Sequence, residues 1–194
     1  MNKRRMRPLP KIIISLLLVF IAFLFVLGVS ELFRREKVYP IHYREEVKSA
    51  SEKFGIDEST VFAVIYCESG FDKDAVSNMG AVGLMQILPE TLEWLCEKDG
   101  VDYSEDFLTS PEKNIYYGTM FMSILYDYFE NWDAVHAAYH AGHTRVRNWL
   151  DEGVCVIDAD GNLFGIPIDA TRVYVDRINA AKDGYIKTLE KEQK

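Results

Sequence analysis

The chain has 194 residues, 48% of them hydrophobic, and a formal net charge of −8. The charge is uneven: residues 1–37 hold eight Lys/Arg and two acids, which leaves 14 basic and 28 acidic residues in 38–194. About 150 residues beyond any N-terminal segment suffice for one domain with its own core. So acidic a domain speaks against nucleic acid, where phosphate neutralisation supplies most of the affinity, and suits a neutral or cationic partner.

Residues 12–29, IIISLLLVFIAFLFVLGV, carry no charge over 18 positions. As a helix they reach about 27 Å, enough for a bilayer core. Lys3, Arg4, Arg5, Arg7 and Lys11 precede them. The expected topology is a cytoplasmic N-terminus (1–11), a transmembrane anchor (12–30), a charged linker (31–40) and an extracytoplasmic domain (41–190) on a single-pass membrane protein. The competing reading is a cleaved signal peptide, with Gly28 and Ser30 as its small residues. The run exceeds the usual ~7–15-residue apolar core of such peptides, which favours an uncleaved anchor.

The pattern over 41–54, with Ile41, Val47, Ala50 and Phe54 between charges, predicts an amphipathic helix stopped by Gly55. Asp57 or Ser59 caps the next, 58–68, which carries Val61, Phe62, Val64 and Ile65. Pro89 opens a helix through Cys96. Ser110-Pro111-Glu112 starts one running to about Phe129; Gly118 inside it costs about 1 kcal/mol relative to Ala and so marks a close helix approach or backbone near a ligand. Short helices follow at 132–140, stopping at Ala141-Gly142, and at 144–150, with Thr144 as cap. A last amphipathic helix covers 168–190. Between them 154–166 reads as a small β-hairpin turning at Asp158-Ala159-Asp160-Gly161-Asn162.

Metal sites are weakly signalled. The turn at Asp158 resembles the opening of a calcium loop but lacks its distal Glu. His136 and His140 share a helix face without an HExxH-type partner. Cys67, Cys96 and Cys155 show no CxxC spacing; three buried thiols are the plainer reading, with a Cys67–Cys155 or Cys96–Cys155 disulfide as the alternative.

The stretch with most chemistry is 61–92. The apolar run VFAVIYC ends on Glu68, the chain turns at Ser69-Gly70, and the small-residue loop SNMGAVG leads to Leu84-Met85-Gln86. A carboxyl pressed against Tyr, Met and aliphatic groups keeps its proton toward neutral pH and can act as a general acid. The plainer alternative is a helix-end Glu bonded to a neighbouring backbone amide. Cys67 beside a carboxylate is a poor thiolate, and no Ser/His/Asp or Cys/His nucleophile motif is present.

Five ordered blocks carry a family resemblance: Glu68-Ser69; Ser77 with Gly80-Ala81-Val82-Gly83-Leu84-Met85-Gln86 and Pro89-Glu90-Thr91; Asn114-Ile115 with Gly118; Ala137-Ala138-Tyr139-His140-Ala141-Gly142 with Val146 and Trp149-Leu150; and Thr171-Arg172 with Tyr174-Val175. The sequence resembles the soluble-lytic-transglycosylase-like domains of the lysozyme superfamily. His140 stands where that family usually has Asn, and Ala170 where it usually has Glu.

The resemblance implies a mainly α, lysozyme-like domain that cleaves the β-1,4 bond between N-acetylmuramic acid and N-acetylglucosamine in peptidoglycan, without cofactor or metal. Glu68 would be the catalytic acid and then base, forming a 1,6-anhydro sugar. Ser69, Ser77, Gly83, Met85, Gln86, Tyr139, His140 and Tyr174 would bind substrate. Two alternatives stay open: a hydrolytic muramidase, which wants a second acid, and an inactive glycan-binding scaffold of a cell-wall or secretion complex.

Overall fold

The computed structural model describes residues 39–192. The segments assigned above to a cytoplasmic tail and an anchor lie outside these residues. Among the described residues no helix is long and apolar enough to cross a membrane. The elements run α1 (Arg44–Phe54), α2 (Glu58–Glu68), α3 (Pro89–Asp99), a 3-10 turn (Glu105–Leu108), α4 (Pro111–Phe129), α5 (Trp132–Ala141), α6 (His143–Asp151), β1 (Val156–Ile157), β2 (Leu163–Phe164) and α7 (Asp169–Glu192). The domain is mainly helical with one small antiparallel sheet, as the sequence leads one to expect.

Helix α2 is apolar on every side, which makes it a core helix rather than a surface one. Val61, Phe62, Ala63, Val64 and Ile65 are all buried. The long α7 packs along it and also covers α5, while α4 packs against α1, α3 and α5. Phe62 stacks on Tyr185 of α7 with ring centroids 5.3 Å apart. Tyr39 closes this aromatic cluster from the N-terminal side: its ring lies 5.0 Å from Tyr185 and 5.6 Å from Tyr66. The Tyr185 hydroxyl donates to the Pro40 carbonyl at 3.1 Å. The end of the charged linker is therefore part of the packed unit.

The start and stop signals behave mostly as read. Pro89 and Pro111 each occupy a first helical turn, and the Ser110 hydroxyl accepts from the Lys113 N–H. The cap expected at Thr144 does not form. Gly142 (φ 92°) both ends α5 and precedes α6, so Thr144 falls inside the first turn; only glycine takes that backbone conformation cheaply. The hairpin pairs Val156 with Phe164 and Ile157 with Leu163. Its turn is tied by the Asp158 carboxylate, which accepts from the Asp160 and Asn162 backbone N–H groups and from the Asn162 amide. Asn131 caps α5 through its oxygen and donates from its nitrogen to the Gly161 carbonyl at 2.8 Å, which docks the turn on that helix. Of the three thiols, Cys96 and Cys155 are buried as expected, whereas Cys67 is only partly so.

Gly118 marks a close approach of a different kind from either expected. A Cβ there would lie 2.4 Å from Met85 Sδ and 2.8 Å from Met85 Cβ. The absent side chain makes room for Met85, which is fully buried. Gly118→Ala should gain about 1 kcal/mol in helix propensity but lose more by overpacking, typically 1–3 kcal/mol. Chemical denaturation should therefore show a net loss; a variant more stable than the parent would contradict this packing.

Candidate functional site

Glu68 is the last residue of α2, and the chain leaves the helix through Ser69. The Ser69 hydroxyl donates to the Leu84 carbonyl at 2.8 Å and accepts from the Phe71 N–H at 3.2 Å. It thus pins the turn after the acid to the loop facing it. The Glu68 carboxyl does not fold back on a backbone amide; instead Oε1 accepts from the Tyr174 hydroxyl of α7 at 2.5 Å. Burial pushes its pKa up to about 7, against the hydrogen bond from Tyr174 and the charge of Arg177, which both favour the anion. Its place at a helix C-terminus, where the macrodipole disfavours negative charge, acts in the same direction as burial. The group is half-protonated near neutral pH.

The phenols around it stay protonated. Burial first, then the nearby Glu68 carboxyl, hold both Tyr174 and Tyr139 well above the usual tyrosine range. Tyr139, near the end of α5, donates its hydroxyl to the Met85 carbonyl at 2.9 Å. His140 is its neighbour on the rim: Nδ1 lies 3.1 Å from Thr171 Oγ1, and the ring sits 4.7 Å from that of Tyr174. Partial burial lowers the His140 pKa, so the ring is neutral at pH 7.

The residues of the facing loop play a different part. Ser77 Oγ accepts from the Ala81 N–H at 3.0 Å and the Met79 N–H at 3.3 Å, closing the loop tip. Gln86, in the left-handed region at φ 49°, donates from its amide to the Ala75 and Gly83 carbonyls at 3.1 and 3.0 Å. Gly83 has φ 83°, and a Cβ would meet the Leu108 carbonyl oxygen at 2.1 Å, so this turn admits only glycine. The Met85 side chain points inward to Gly118, and its carbonyl is what reaches Tyr139. The structure thus brings Glu68, Ser69, Tyr139, His140 and Tyr174 together as side chains, with Ser77, Gly83, Met85 and Gln86 shaping the loop opposite.

Asn114, at the start of α4, belongs to the Asn114-Ile115 motif and not to the expected site residues, yet it is the hub of that loop. It accepts from the Met85 N–H at 2.7 Å and donates to the carbonyls of Leu108 at 2.8 Å and Val82 at 3.1 Å. It is buried with all its polar atoms used. Following Glu112-Lys113 in the polar first turn, it carries no local mark of burial; only its motif singled it out. Arg177, one turn after Tyr174 on α7, also acts on Glu68 through its charge, and nothing in the local sequence marks it. Among the described residues, Asp72 and Asp74 are exposed, with Asp72 accepting from the Asp74 N–H and Asp74 paired to Lys73. No His/Cys/Asp/Glu cluster able to hold a metal occurs among the described residues.

Comparison with known proteins identifies the family and fold. A family model described as "Transglycosylase SLT domain" matches residues 45–153. The soluble lytic murein transglycosylase of Escherichia coli (strain K12) is 34% identical over 153 residues, covering 77% of this chain and 24% of its own length. A membrane-bound lytic murein transglycosylase C from Glaesserella parasuis is 31% identical over 165 residues, covering 74% of this chain and 45% of the relative. Among solved structures, the 70 kDa soluble lytic transglycosylase of E. coli superposes with a TM-score of 0.71 at 33% identity, over 78% of this chain and 25% of the other. An inactive Glu-to-Gln mutant of the lytic transglycosylase Slt from Pseudomonas aeruginosa gives 0.69 at 31% identity, over 78% and 25%. The chain thus spans about a quarter of the length of the soluble relatives it matches.

Proposed function

The chain belongs to the transglycosylase SLT domain family, and on that premise we propose that it is a lytic transglycosylase acting on peptidoglycan, with Glu68 as its single acid–base group. The observation that carries this reading is a buried carboxyl with a pKa of about 7, held by the Tyr174 hydroxyl. A general acid works best when its pKa lies near the working pH. Protonated Glu68 gives its proton to the glycosidic oxygen between N-acetylmuramic acid and N-acetylglucosamine as the C1–O bond breaks. The N-acetyl oxygen assists at the anomeric carbon. The carboxylate left on Glu68 then takes the proton of the sugar's own 6-hydroxyl, whose oxygen bonds to C1. The product is a 1,6-anhydro sugar, and Glu68 is again protonated.

Tyr174 orients the carboxyl and softens its retention of the proton. Tyr139, His140 and Ser69 line the place where the sugars sit, and the loop built by Ser77, Gly83, Met85 and Gln86 forms the opposite wall. A hydrolytic muramidase needs a second carboxylate across the bond to activate water. The exposure of Asp72 and Asp74, each engaged within its own loop, favours the intramolecular route. We further propose that residues 12–30 anchor the chain in the cytoplasmic membrane with this domain on the outer side. The uncharged 18-residue run behind five cations supports that placement, and membrane-bound relatives such as that of G. parasuis agree with it.

The pH profile of peptidoglycan solubilisation tests the assignment. The rate should fall above an apparent pKa near 7 as Glu68 loses its proton. Tyr174→Phe removes a hydrogen bond that stabilises the carboxylate, so the alkaline limb should move upward by roughly one pH unit. A limb that stays in place in this variant, or moves down, would break the link between Tyr174 and the acid.

A further inference from the structure

Tyr139 does not stand alone at the edge of the site. Its ring lies 5.3 Å from Phe121 of α4, and Phe121 lies 6.3 Å from Trp94 of α3 in an edge-on arrangement. The Trp94 ring is therefore within about 12 Å of Tyr139. It is 38% exposed, on a helix whose other apolar residues, Leu92, Leu95 and Cys96, are buried. Lys98, one turn further on, holds its ammonium 4.9 Å above the ring. Burial does not explain an indole kept on the surface beneath a cation at the end of a row that starts beside Glu68.

We propose that Trp94 and Lys98 form an outer glycan subsite, continuous with the cleft through Phe121 and Tyr139. It would take a sugar of a strand that carries peptide stems. This rests on the reading of the cleft as a peptidoglycan site. A pyranose presents an apolar C–H face that stacks on an aromatic ring, as the indole offers. The stem adds free carboxylates, and the Lys98 ammonium is a flexible cation placed to meet one. Lys98 is the one cation of α3, set among Glu90, Glu93, Glu97 and Asp99. The row gives the strand a direction: out from Glu68 past Tyr139 and Phe121 to the α3 surface.

Binding tests this apart from turnover. The full chain carrying Glu68→Gln is incubated with isolated peptidoglycan, and the bound fraction is measured against protein concentration. Adding Trp94→Ala should weaken binding roughly fivefold, an aromatic contact's worth. Trp94→Phe, which keeps a ring, should stay within about twofold of the parent. Lys98→Met should weaken binding to glycan with stems and not to stem-free strands. Equal binding by the Trp94→Ala chain and its parent, with melting showing both folded, would overturn the subsite while leaving the cleft assignment intact. Failure of the Glu68→Gln parent to bind peptidoglycan would overturn both.

Discussion

Glu68→Gln should lower the rate of peptidoglycan cleavage by about three orders of magnitude, since loss of a positioned acid–base group costs typically 10²–10⁴-fold. In the proposed mechanism one side chain serves both proton transfers, so neither half of the reaction is spared. The same substitution should make the domain more stable at alkaline pH. A carboxyl whose folded pKa is raised from 4.5 to about 7 keeps its proton in the folded state where the unfolded chain has lost it. The folded state then binds more protons between pH 4.5 and 7, and stability declines as pH rises through that window. The ceiling on this effect is about 3 kcal/mol, and part of it is lost because Glu68 is only half-buried. Denaturation should find Glu68→Gln about 1–2 kcal/mol more stable than the parent at pH 8, with the gap closing below pH 4.5. Full activity in the variant, or a gap that widens toward acid, would be inconsistent with Glu68 as a buried acid.

The second large effect has the opposite sign. His136 on α5 is 1% exposed, and neither ring nitrogen finds a hydrogen-bond partner among the described residues. Burial lowers its pKa from 6.5 to about 4, opposed by Asp133 and helped by Lys182. Asp133 accepts from the Leu163 N–H and the Asn179 amide, and its charge only partly offsets the burial of His136. Between pH 6.5 and 4 the unfolded chain binds a proton that the folded domain refuses. Stability is therefore lost as pH falls through this window, by up to about 3 kcal/mol. His136→Leu should flatten this acid limb by about 1.4 kcal/mol per pH unit, and at pH 7 it should cost little, since it also removes an unsatisfied polar group. An acid limb of unchanged slope in the variant would show that another group sets it. The two windows overlap between pH 4.5 and 6.5, where slopes of opposite sign largely cancel in the parent, so each variant unmasks the other group's limb.

The residues that the sequence made legible are those whose signal is local. Pro89, Ser110-Pro111 and the apolar run of α2 announce their helices because caps, proline and periodicity act over a few residues. The motif order located Glu68 and Tyr139, although their apposition depends on α2, α5 and α7 packing together. What stayed hidden needs distance in three dimensions. Nothing adjacent to Tyr174 in the chain says that its hydroxyl meets a carboxyl 106 positions earlier. Nor does the loop sequence tell whether Ser77 and Gln86 face a ligand or their own backbone. Gly118 was marked as special, but only the structure identifies Met85 as its neighbour. Thr144 misled because a Thr after Gly resembles a cap until the glycine's backbone conformation is known.

Product analysis bears most directly on the central claim that one carboxyl performs both proton transfers. Purified peptidoglycan is digested with the full chain, and the released muropeptides are resolved by mass spectrometry. The account predicts 1,6-anhydro-muramyl ends, absent when Glu68→Gln replaces the parent. Reducing ends bearing an added water would contradict it and point to a second group that activates water.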